Sequence, residues 1–185
     1  MQWKDINIKQ FKNINKILKD KDLTDIEKNL ELIAYVFDLS EDDLYDMDLS
    51  AIHKYTNELE FLNDFKPDYA REPKIKHIGD YEVGIDYHLS KFTVAQYIDF
   101  MAEINSTEPD IARLCATILI PKGHKYNDGY NLEEFIEQIE QEVNIFDAEA
   151  LVFFYLIKSL RLINKSHKAL MMKAMANKVV KAFRF

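Results

Sequence analysis

The sequence predicts a mainly α-helical protein, a helical bundle that is either single or divided into two related helical lobes, with one small β-hairpin. Apolar residues recur every three or four positions along most of the chain, as in amphipathic helices. Glycine and proline number four each among 185 residues, which is too few for a turn-rich β fold. Apolar residues form 48% of the chain, enough for a substantial core. The single cysteine, Cys115, is expected in that core and excludes an internal disulfide, as is usual in a reducing compartment.

Four helices are predicted before residue 64, because short polar residues that cap helices precede each apolar repeat. The expected N-caps are Asn7, Thr24, Ser40 and Ser50. Glu27 lies three residues after Thr24, which is the spacing of a capping box, where each side chain accepts from the other residue's backbone N–H. The expected apolar stripe of the second helix consists of Ile26, Leu30, Ile33, Ala34 and Phe37.

A β-hairpin is predicted after a linker at residues 64–73, which contains two prolines. The apolar period then changes from helical to alternating, and Gly79-Asp80 can form a tight turn between two strands. The expected strands cover residues 74–78 and 81–87. An isolated hairpin is only marginally stable in water, so this one is expected to lie against helices.

Helices are predicted again from residue 93 onward. The expected N-caps are Thr93, Asn131 and Asp147, with Glu134 completing a capping box after Asn131. Pro109 is expected in the first turn of a helix over "PDIARLCATILI", where the missing proline N–H costs no hydrogen bond. The longest apolar run, "ALVFFYLI", falls far short of the ~20 residues that a membrane helix needs, and the charged start shows no signal-peptide pattern.

This pattern divides the chain into four segments. They are an N-terminal helical lobe at 1–64, the linker and hairpin at 65–90, a second helical lobe at 91–163 and a basic amphipathic C-terminal helix at 164–185. The two lobes share caps and apolar positions in three pairs of stretches: 7–14 with 93–100, 26–34 with 111–119, and 49–59 with 146–156. An internal duplication explains these likenesses, and so does the general similarity of amphipathic helices. The sequence leaves both explanations open.

The charge is distributed unevenly along the chain, whose net charge is −8. Residues 150–185 hold eight of the 24 Lys and Arg residues and no Asp or Glu, which leaves 16 basic and 32 acidic groups in residues 1–149. An acidic body of this kind disfavours broad nucleic-acid binding, because phosphate contacts need clustered Lys and Arg. Nucleic acid is therefore expected, if at all, only at the basic C-terminal helix.

That C-terminal helix carries the first set of candidate partner-binding residues. They are Lys168, Met171, Met175, Lys178, Val179, Phe183 and Arg184. The helix can pack on its own acidic body, dock in a groove of a partner protein, or contact a membrane surface or nucleic acid. Methionine adapts to varied partners, which favours docking, but the sequence leaves the three alternatives open.

A second candidate contact region is the irregular stretch "ILIPKGHKYNDGYN" at residues 118–131. It is not a phosphate loop, since Gly129 is followed by Tyr130 and Asn131, where that motif requires lysine and a hydroxyl residue. Its spacing also fails for an EF-hand, and His124 has no second zinc ligand nearby. We expect a connector between helices and a contact loop. Its candidate contact residues are Lys122, His124, Tyr126 and Tyr130.

No catalytic, metal or cofactor site is recognisable in the sequence. The five histidines are scattered, and neither an H-E-x-x-H nor a G-x-S-x-G motif occurs. Acidic pairs such as Glu133–Glu134 fall in the first turns of predicted helices, where carboxylates interact favourably with the helix dipole. We therefore expect a protein that acts by binding, that is not an enzyme and that needs no cofactor.

Several phrases of the sequence together resemble a known class of phage protein. They are "WKDINIKQF", "LSEDDLYDMDLSAIHKYTNELEFLN", the hairpin, "TVAQYIDF" and "LIPKGHKYNDGYN". The resemblance is to small structural-region proteins of tailed phages that infect Bacteroidetes, crAss-like phages included, and it spans about residues 3–160. In layout the chain is also similar to tail assembly chaperones.

The resemblance implies a non-enzymatic role in phage morphogenesis. A tail assembly chaperone would bind helical segments of the tape-measure protein, or of another tail protein, in the host cytoplasm during assembly. The alternative is a permanent virion component, such as a connector or a packaged internal protein. The resemblance implies a phage protein partner in either case, is compatible with a homo-oligomer, and supplies no catalytic residues. No membrane partner is expected.

Overall fold

The computed structural model describes residues 1–66 and 71–162 and confirms a mainly helical fold with a small antiparallel sheet. The helices are α1 (Ile8–Lys19), α2 (Asp25–Phe37), α3 (Glu41–Tyr45), α4 (Leu49–Glu58), α5 (Val94–Ile104), α6 (Ile111–Ile118), α7 (Leu132–Glu142) and α8 (Ile145–Leu162). Short 3-10 helices cover Trp3–Asp5 and Glu60–Asn63. The strands are β1 (His77–Ile78), β2 (Tyr81–Gly84) and β3 (Ile120–Pro121). The candidate residues at 168–184 lie outside the described residues.

Most predicted helix starts are confirmed, because a cap is a local interaction. Asn7, Thr24, Ser40 and Thr93 each accept a hydrogen bond from the backbone N–H three residues on, and each is part of a reciprocal capping box. Asn131 caps α7 by accepting from the Glu134 N–H at 3.4 Å, but the expected capping box does not form, because the Glu134 side chain accepts no bond from the Asn131 N–H. These interactions satisfy backbone donors that have no partner inside the helix.

Two predicted N-caps are wrong by two or three residues. The cap of α4 is Asp48, whose carboxylate accepts from the Ala51 N–H at 2.8 Å, while the Ser50 hydroxyl donates to the same oxygen at 2.7 Å. Helix α8 begins after Asn144, whose side chain accepts from the Asp147 N–H at 2.9 Å and donates to the Asp147 carboxylate at 2.8 Å. In both places two capping residues lie close together, and the earlier one caps the helix.

Two other local expectations are also corrected. Pro109 is not in the first turn of α6, because Asp110 caps that helix by accepting from the Arg113 N–H at 3.1 Å. Ile26 does not belong to the buried stripe of α2, since its side chain is 74% exposed while Leu32 and Ile33 are buried. It lies in the first turn, beyond the part of α2 that packs on neighbouring helices.

The predicted hairpin exists and is joined by a third strand that was not predicted. β1 and β2 are shorter than the expected strands, and Gly79 at the turn has a φ of +53°, which suits the first position of a II′ hairpin turn. β3 comes from the irregular stretch at 118–131 and pairs with β2, giving the order β1-β2-β3. The antiparallel register pairs His77 with Glu82, Ile78 with Tyr81, Val83 with Pro121, and Gly84 with Ile120.

The core is one cluster that draws on residues of the predicted N-terminal lobe, the hairpin and the predicted second lobe. Its largest fully buried side chains include Phe11, Ile14, Ile33, Ile78, Phe100, Ile104, Leu114, Phe135 and Tyr155. Helix α6 lies at its centre: every residue of α6 except Arg113 is buried, Cys115 among them, and α6 packs against α5, α7 and α8. Whether the two lobes arose by duplication stays a prediction.

The chain start is tied to the junction between α7 and α8. The Ile8 N–H donates to the Val143 carbonyl at 3.0 Å, and the Ile145 N–H donates to the Ile6 carbonyl at 2.9 Å. The Asn7 side chain, which caps α1, also donates to the Gln141 carbonyl at 2.8 Å. The first helix is thereby fixed against α7 and α8.

Candidate partner-binding cleft

Within the irregular stretch at 118–131, residues 122–130 form the connector between β3 and α7. Gly123, Asn127 and Gly129 have φ values of +85°, +56° and +86°, a region that glycine and asparagine tolerate best. Gly129 is also required by close packing, because a Cβ atom there would lie 2.6 Å from the His124 Nδ1. The irregular composition therefore reflects the backbone geometry of this connector.

Two of the four predicted contact residues pack against aromatic side chains of the protein itself. His124 and Tyr130 lie edge-on to each other, with ring centroids 5.9 Å apart. Each also meets Tyr81 of β2 edge-on, at 5.9 and 6.3 Å, and Tyr130 contacts Phe135 of α7 at 5.4 Å. Such edge-on aromatic contacts are favourable beyond the area they bury. Burial raises the pKa of Tyr130, and the cluster holds the connector against the sheet.

Lys122, the third predicted contact residue, pairs with Glu82 across the sheet. Its ammonium group hydrogen-bonds the Glu82 carboxylate, and its backbone N–H donates to the Glu82 carbonyl at 2.8 Å. The side-chain hydrogen bond from Lys122 lowers the pKa of Glu82. More than half of each side chain is exposed, so this pair contributes little stability and remains available at the surface.

Tyr126, the fourth predicted contact residue, borders a cleft between α5, α6 and α7. Its hydroxyl donates to the Asp99 carboxylate of α5 at 2.8 Å. Burial, then the hydrogen bond to Asp99 and its negative charge, raise the pKa of Tyr126. The tyrosine therefore stays protonated and connects the loop to α5. It is the one predicted candidate in the described part of the chain that lines the cleft.

The cleft has a volume of about 390 Å³, within the range of small ligand pockets. Its apolar lining comes from Ala102, Ala116, Leu132 and Ile136, one from each of α5 and α6 and two from α7. The two alanines leave space that larger side chains would fill. The cleft therefore forms where three helices meet around short side chains.

The charged residues of the cleft rim are two carboxylates of α5 and one arginine of α6. Glu103 accepts from the Asp110 N–H at 2.7 Å, and Asp99 accepts from Tyr126. Arg113 forms an ion pair with Glu133 at 3.0 Å, and this hydrogen bond raises the pKa of Arg113. Arg113 also interacts electrostatically with Glu103, so the α5 carboxylates are partly compensated. One guanidinium faces the carboxylates of Asp99, Glu103 and Glu133, and the rim therefore keeps a net negative charge.

An exposed apolar surface on α5 adjoins the cleft. Val94 is 75% exposed and Ile98 is 58% exposed, whereas the opposite side of α5 buries Gln96, Phe100 and Ile104. Val94, Ile98 and Ala102 follow one another at intervals of four, so they lie along one side of the helix. Since Ala102 also lines the cleft, the apolar row leads directly into it. We call this row and the cleft together the α5 face.

The sequence-based predictions missed the α5 face, although one feature of the sequence points to it. The stretch "TVAQYIDFMAEI" has apolar residues around more than half of the helix circumference, which exceeds what a helix with one buried side needs. An apolar excess of this kind indicates a second contact surface. Only the fold shows that Val94 and Ile98 are its exposed members.

A second groove, of about 350 Å³, runs between β1 and the α7–α8 junction. Its lining is mostly polar, with Lys74, Lys76 and His77 on one side and Glu142 and Asp147 on the other. The groove offers a peptide little apolar surface, so the α5 face is the stronger candidate.

Within residues 1–66 and 71–162, no group of three or more His, Cys, Asp or Glu residues could hold a metal ion. In the same ranges no helix has the length and apolar character to cross a membrane. Comparison with protein-family models, curated proteins and solved structures gave no match to this chain.

Proposed function

We propose that the protein is a non-enzymatic phage morphogenesis protein that acts as a tail assembly chaperone. In this proposal it binds helical segments of a tape-measure protein or of another tail protein in the host cytoplasm. The phage assignment rests on the sequence resemblance described above. The binding role rests on the α5 face.

The exposed apolar row of α5 is the observation that carries the binding role. Single apolar residues are common on protein surfaces, but Val94 and Ile98 lie one helical turn apart and lead into a cleft. An amphipathic helix binds such a surface by placing apolar residues at i, i+3, i+4 and i+7 against it. Burying the two side chains would supply the apolar free energy of binding.

The polar groups around the cleft support binding rather than catalysis. The Thr117 hydroxyl donates to the Leu114 carbonyl at 2.7 Å, so it is held in a backbone interaction. Arg113 is engaged by Glu133, and the raised pKa of Tyr126 disfavours a role as a base at neutral pH. These groups fix the shape of the cleft and do not form a nucleophile and base pair.

Co-expression with the tape-measure protein of the encoding phage tests the proposal. The wild-type chain should keep that protein soluble and co-purify with it. The double variant Val94→Ala/Ile98→Ala should weaken binding by about 1–2 kcal/mol, which is roughly five- to thirtyfold. Alanine favours helix more than valine and isoleucine do, so α5 should remain folded. Ile26→Ala is the matched control, since Ile26 is 74% exposed on a different helix.

Loss of binding in both variants, or in neither, would contradict the assignment of binding to α5. Mass spectrometry of purified virions separates the chaperone from the alternative noted in the sequence. A chaperone should be absent from mature particles, and stoichiometric presence would instead assign the chain as a connector or internal virion protein.

A further inference from the structure

We infer that the segment that docks on the α5 face is a cationic amphipathic helix, which places a lysine or arginine side chain in the cleft beside Asp99 and Glu103. This inference rests on the proposed function and adds the chemical class of the partner. The apolar row supplies the surface, and the charge of the rim selects the occupant.

The two carboxylates are arranged to receive a cation. Asp99 and Glu103 lie four residues apart on α5, a spacing at which like charges face each other and destabilise the helix. Each is held in place by one hydrogen bond, from the Tyr126 hydroxyl at 2.8 Å and from the Asp110 N–H at 2.7 Å. Their other oxygens accept no hydrogen bond from the described residues. A cation placed beside them would relieve the repulsion and use the remaining acceptors.

The surroundings compensate this pair only in part. Arg113 interacts electrostatically with Glu103 as well as with Glu133, but its single positive charge stands against the carboxylates of Asp99, Glu103 and Glu133, so the rim keeps a net negative charge. The chain also carries 32 acidic against 16 basic groups in residues 1–149, which would speed the approach of a cationic segment. Local and overall charge therefore favour the same class of partner.

The shape of the cleft fits one or two long side chains. Its volume of about 390 Å³ is too small for a helix, so a docking helix would lie across α5 and insert side chains. Lysine and arginine have an apolar stem and a charged end. The stem would contact Leu132 and Ile136 while the charged end reaches the rim carboxylates. Acidic or neutral residues at that position would lack this match.

Binding of two synthetic helical peptides to the full-length chain tests the inference. Both peptides have about 20 residues, long enough to form a helix, and share leucines at i, i+3, i+4 and i+7. One carries lysines beside the leucines, and the other carries glutamines. We expect the lysine peptide to bind about tenfold more tightly, as two partly exposed charge pairs allow. The readout is fluorescence anisotropy of labelled peptide at physiological ionic strength.

A matched pair of variants separates local from overall charge. Asp99→Asn/Glu103→Gln removes two charges from the rim and keeps oxygens that can accept from Tyr126 and Asp110. Glu31→Gln/Glu58→Gln removes the same charge from exposed positions on α2 and α4. The preference for lysine should disappear in the first variant and persist in the second. Equal loss in both variants would overturn the inference, because it would show a general attraction.

The outcomes distinguish this inference from the proposed function. Equal binding of both peptides, lost in Val94→Ala/Ile98→Ala, would overturn the cationic preference and leave the proposed function intact. Binding of neither peptide would overturn the inference, while the proposed function is decided by co-expression with the tape-measure protein. If the lysine peptide bound only after Lys168→Gln/Lys173→Gln/Lys178→Gln, the occupant would be the chain's own C-terminal segment and not a partner. Dimerisation that Asp99→Asn/Glu103→Gln abolishes would assign the α5 face to a second copy, again overturning the inference.

Discussion

The Gln96 side chain of α5 is buried, with 4% of the residue exposed, and forms hydrogen bonds both within α5 and to α6. Its oxygen accepts from the Thr93 N–H at 3.0 Å, which completes the capping box of α5. Its amide nitrogen donates to the Thr117 carbonyl at 2.8 Å, near the C-terminal end of α6. That carbonyl has no partner within its own helix. Gln96 therefore positions α5 against α6 beneath the α5 face.

Replacing Gln96 by leucine should destabilise the protein by about 1–3 kcal/mol, because a buried carbonyl and a cap N–H lose their partners. Urea unfolding followed by circular dichroism measures the change. The control is Gln141→Leu, since the Gln141 side chain is exposed on α7 and its loss should stay within about 0.5 kcal/mol. Similar values for the two variants would contradict the role of Gln96.

Gly79 illustrates a backbone requirement at the hairpin turn. Gly79→Ala should cost about 1–2 kcal/mol, because its φ of +53° is unfavourable for any residue with a Cβ atom. The new Cβ would also lie 2.6 Å from the Gln138 side-chain oxygen, which must then move. Gly84→Ala in β2 is the control: its nearest atom, the Lys122 Cε, is 4.0 Å away. Thermal unfolding should show a lower midpoint for Gly79→Ala alone.

Residue-level predictions from the sequence succeeded where the physics is local. The caps at Asn7 and Thr93 depend on atoms three residues apart, so they can be recognised from spacing. The predictions failed where two nearby residues can each cap the same helix, as Asp48 and Ser50 can. They also failed where the burial of a side chain depends on a residue far away in the sequence. The exposure of Ile26 belongs to the second kind, because spacing identifies an apolar position but not what covers it.

At the scale of elements, Lys12 of α1 joins α6 and α7. Its ammonium group contacts the Asp110 carboxylate at 2.8 Å and also the Glu140 carboxylate. Lys12→Met would leave two partly buried carboxylates without their cation, and we expect a loss of about 1–3 kcal/mol in unfolding free energy. Lys66→Met is the control, because the Lys66–Asp64 pair is 80% and 64% exposed and should contribute less than about 1 kcal/mol.

The contacts of Lys12 with Asp110 and Glu140 also predict how the free energy of unfolding depends on pH. Burial alone would raise the pKa of Asp110, but hydrogen bonds, first that from Lys12, leave it below its ordinary value of 3.8. A carboxylate with a lowered folded pKa contributes its full stability above that ordinary value and loses it as the pH falls through the folded pKa. In Lys12→Met the largest interaction that lowers the pKa of Asp110 is removed, so acid unfolding should begin at a higher pH than in the wild type. An unchanged acid midpoint would contradict this coupling.

Elements that depend on distant pairing could not be predicted from the sequence. The stretch at 118–131 has no strand pattern of its own, and Ile120–Pro121 becomes β3 only because β2 lies beside it. The cleft arises in the same way, from α5, α6 and α7 meeting around Ala102 and Ala116. The sequence predicted that Tyr126 makes contacts, but its partner Asp99 lies 27 positions away.

At the scale of the whole molecule, the first residues of the chain are coupled to its second half. Trp3, the single tryptophan, is 4% exposed and meets Phe11, Phe61 and Phe65 edge-on at 6.0, 5.5 and 5.0 Å. The 3-10 helix that carries Trp3 packs on α8, and α1 packs on α7. Trp3 fluorescence therefore reports on the region where the two predicted lobes meet.

This arrangement predicts a single cooperative unfolding transition. Ile139 of α7 is fully buried in the second predicted lobe, and Ile139→Val should cost about 0.5–1.5 kcal/mol. Because Trp3 belongs to the same core cluster, its fluorescence should shift by the same free energy as the far-ultraviolet circular dichroism. The control Ile26→Val, at an exposed position, should shift neither signal. If the Trp3 transition stayed in place while the dichroism shifted, the lobes would unfold independently, and the shared core would not couple them.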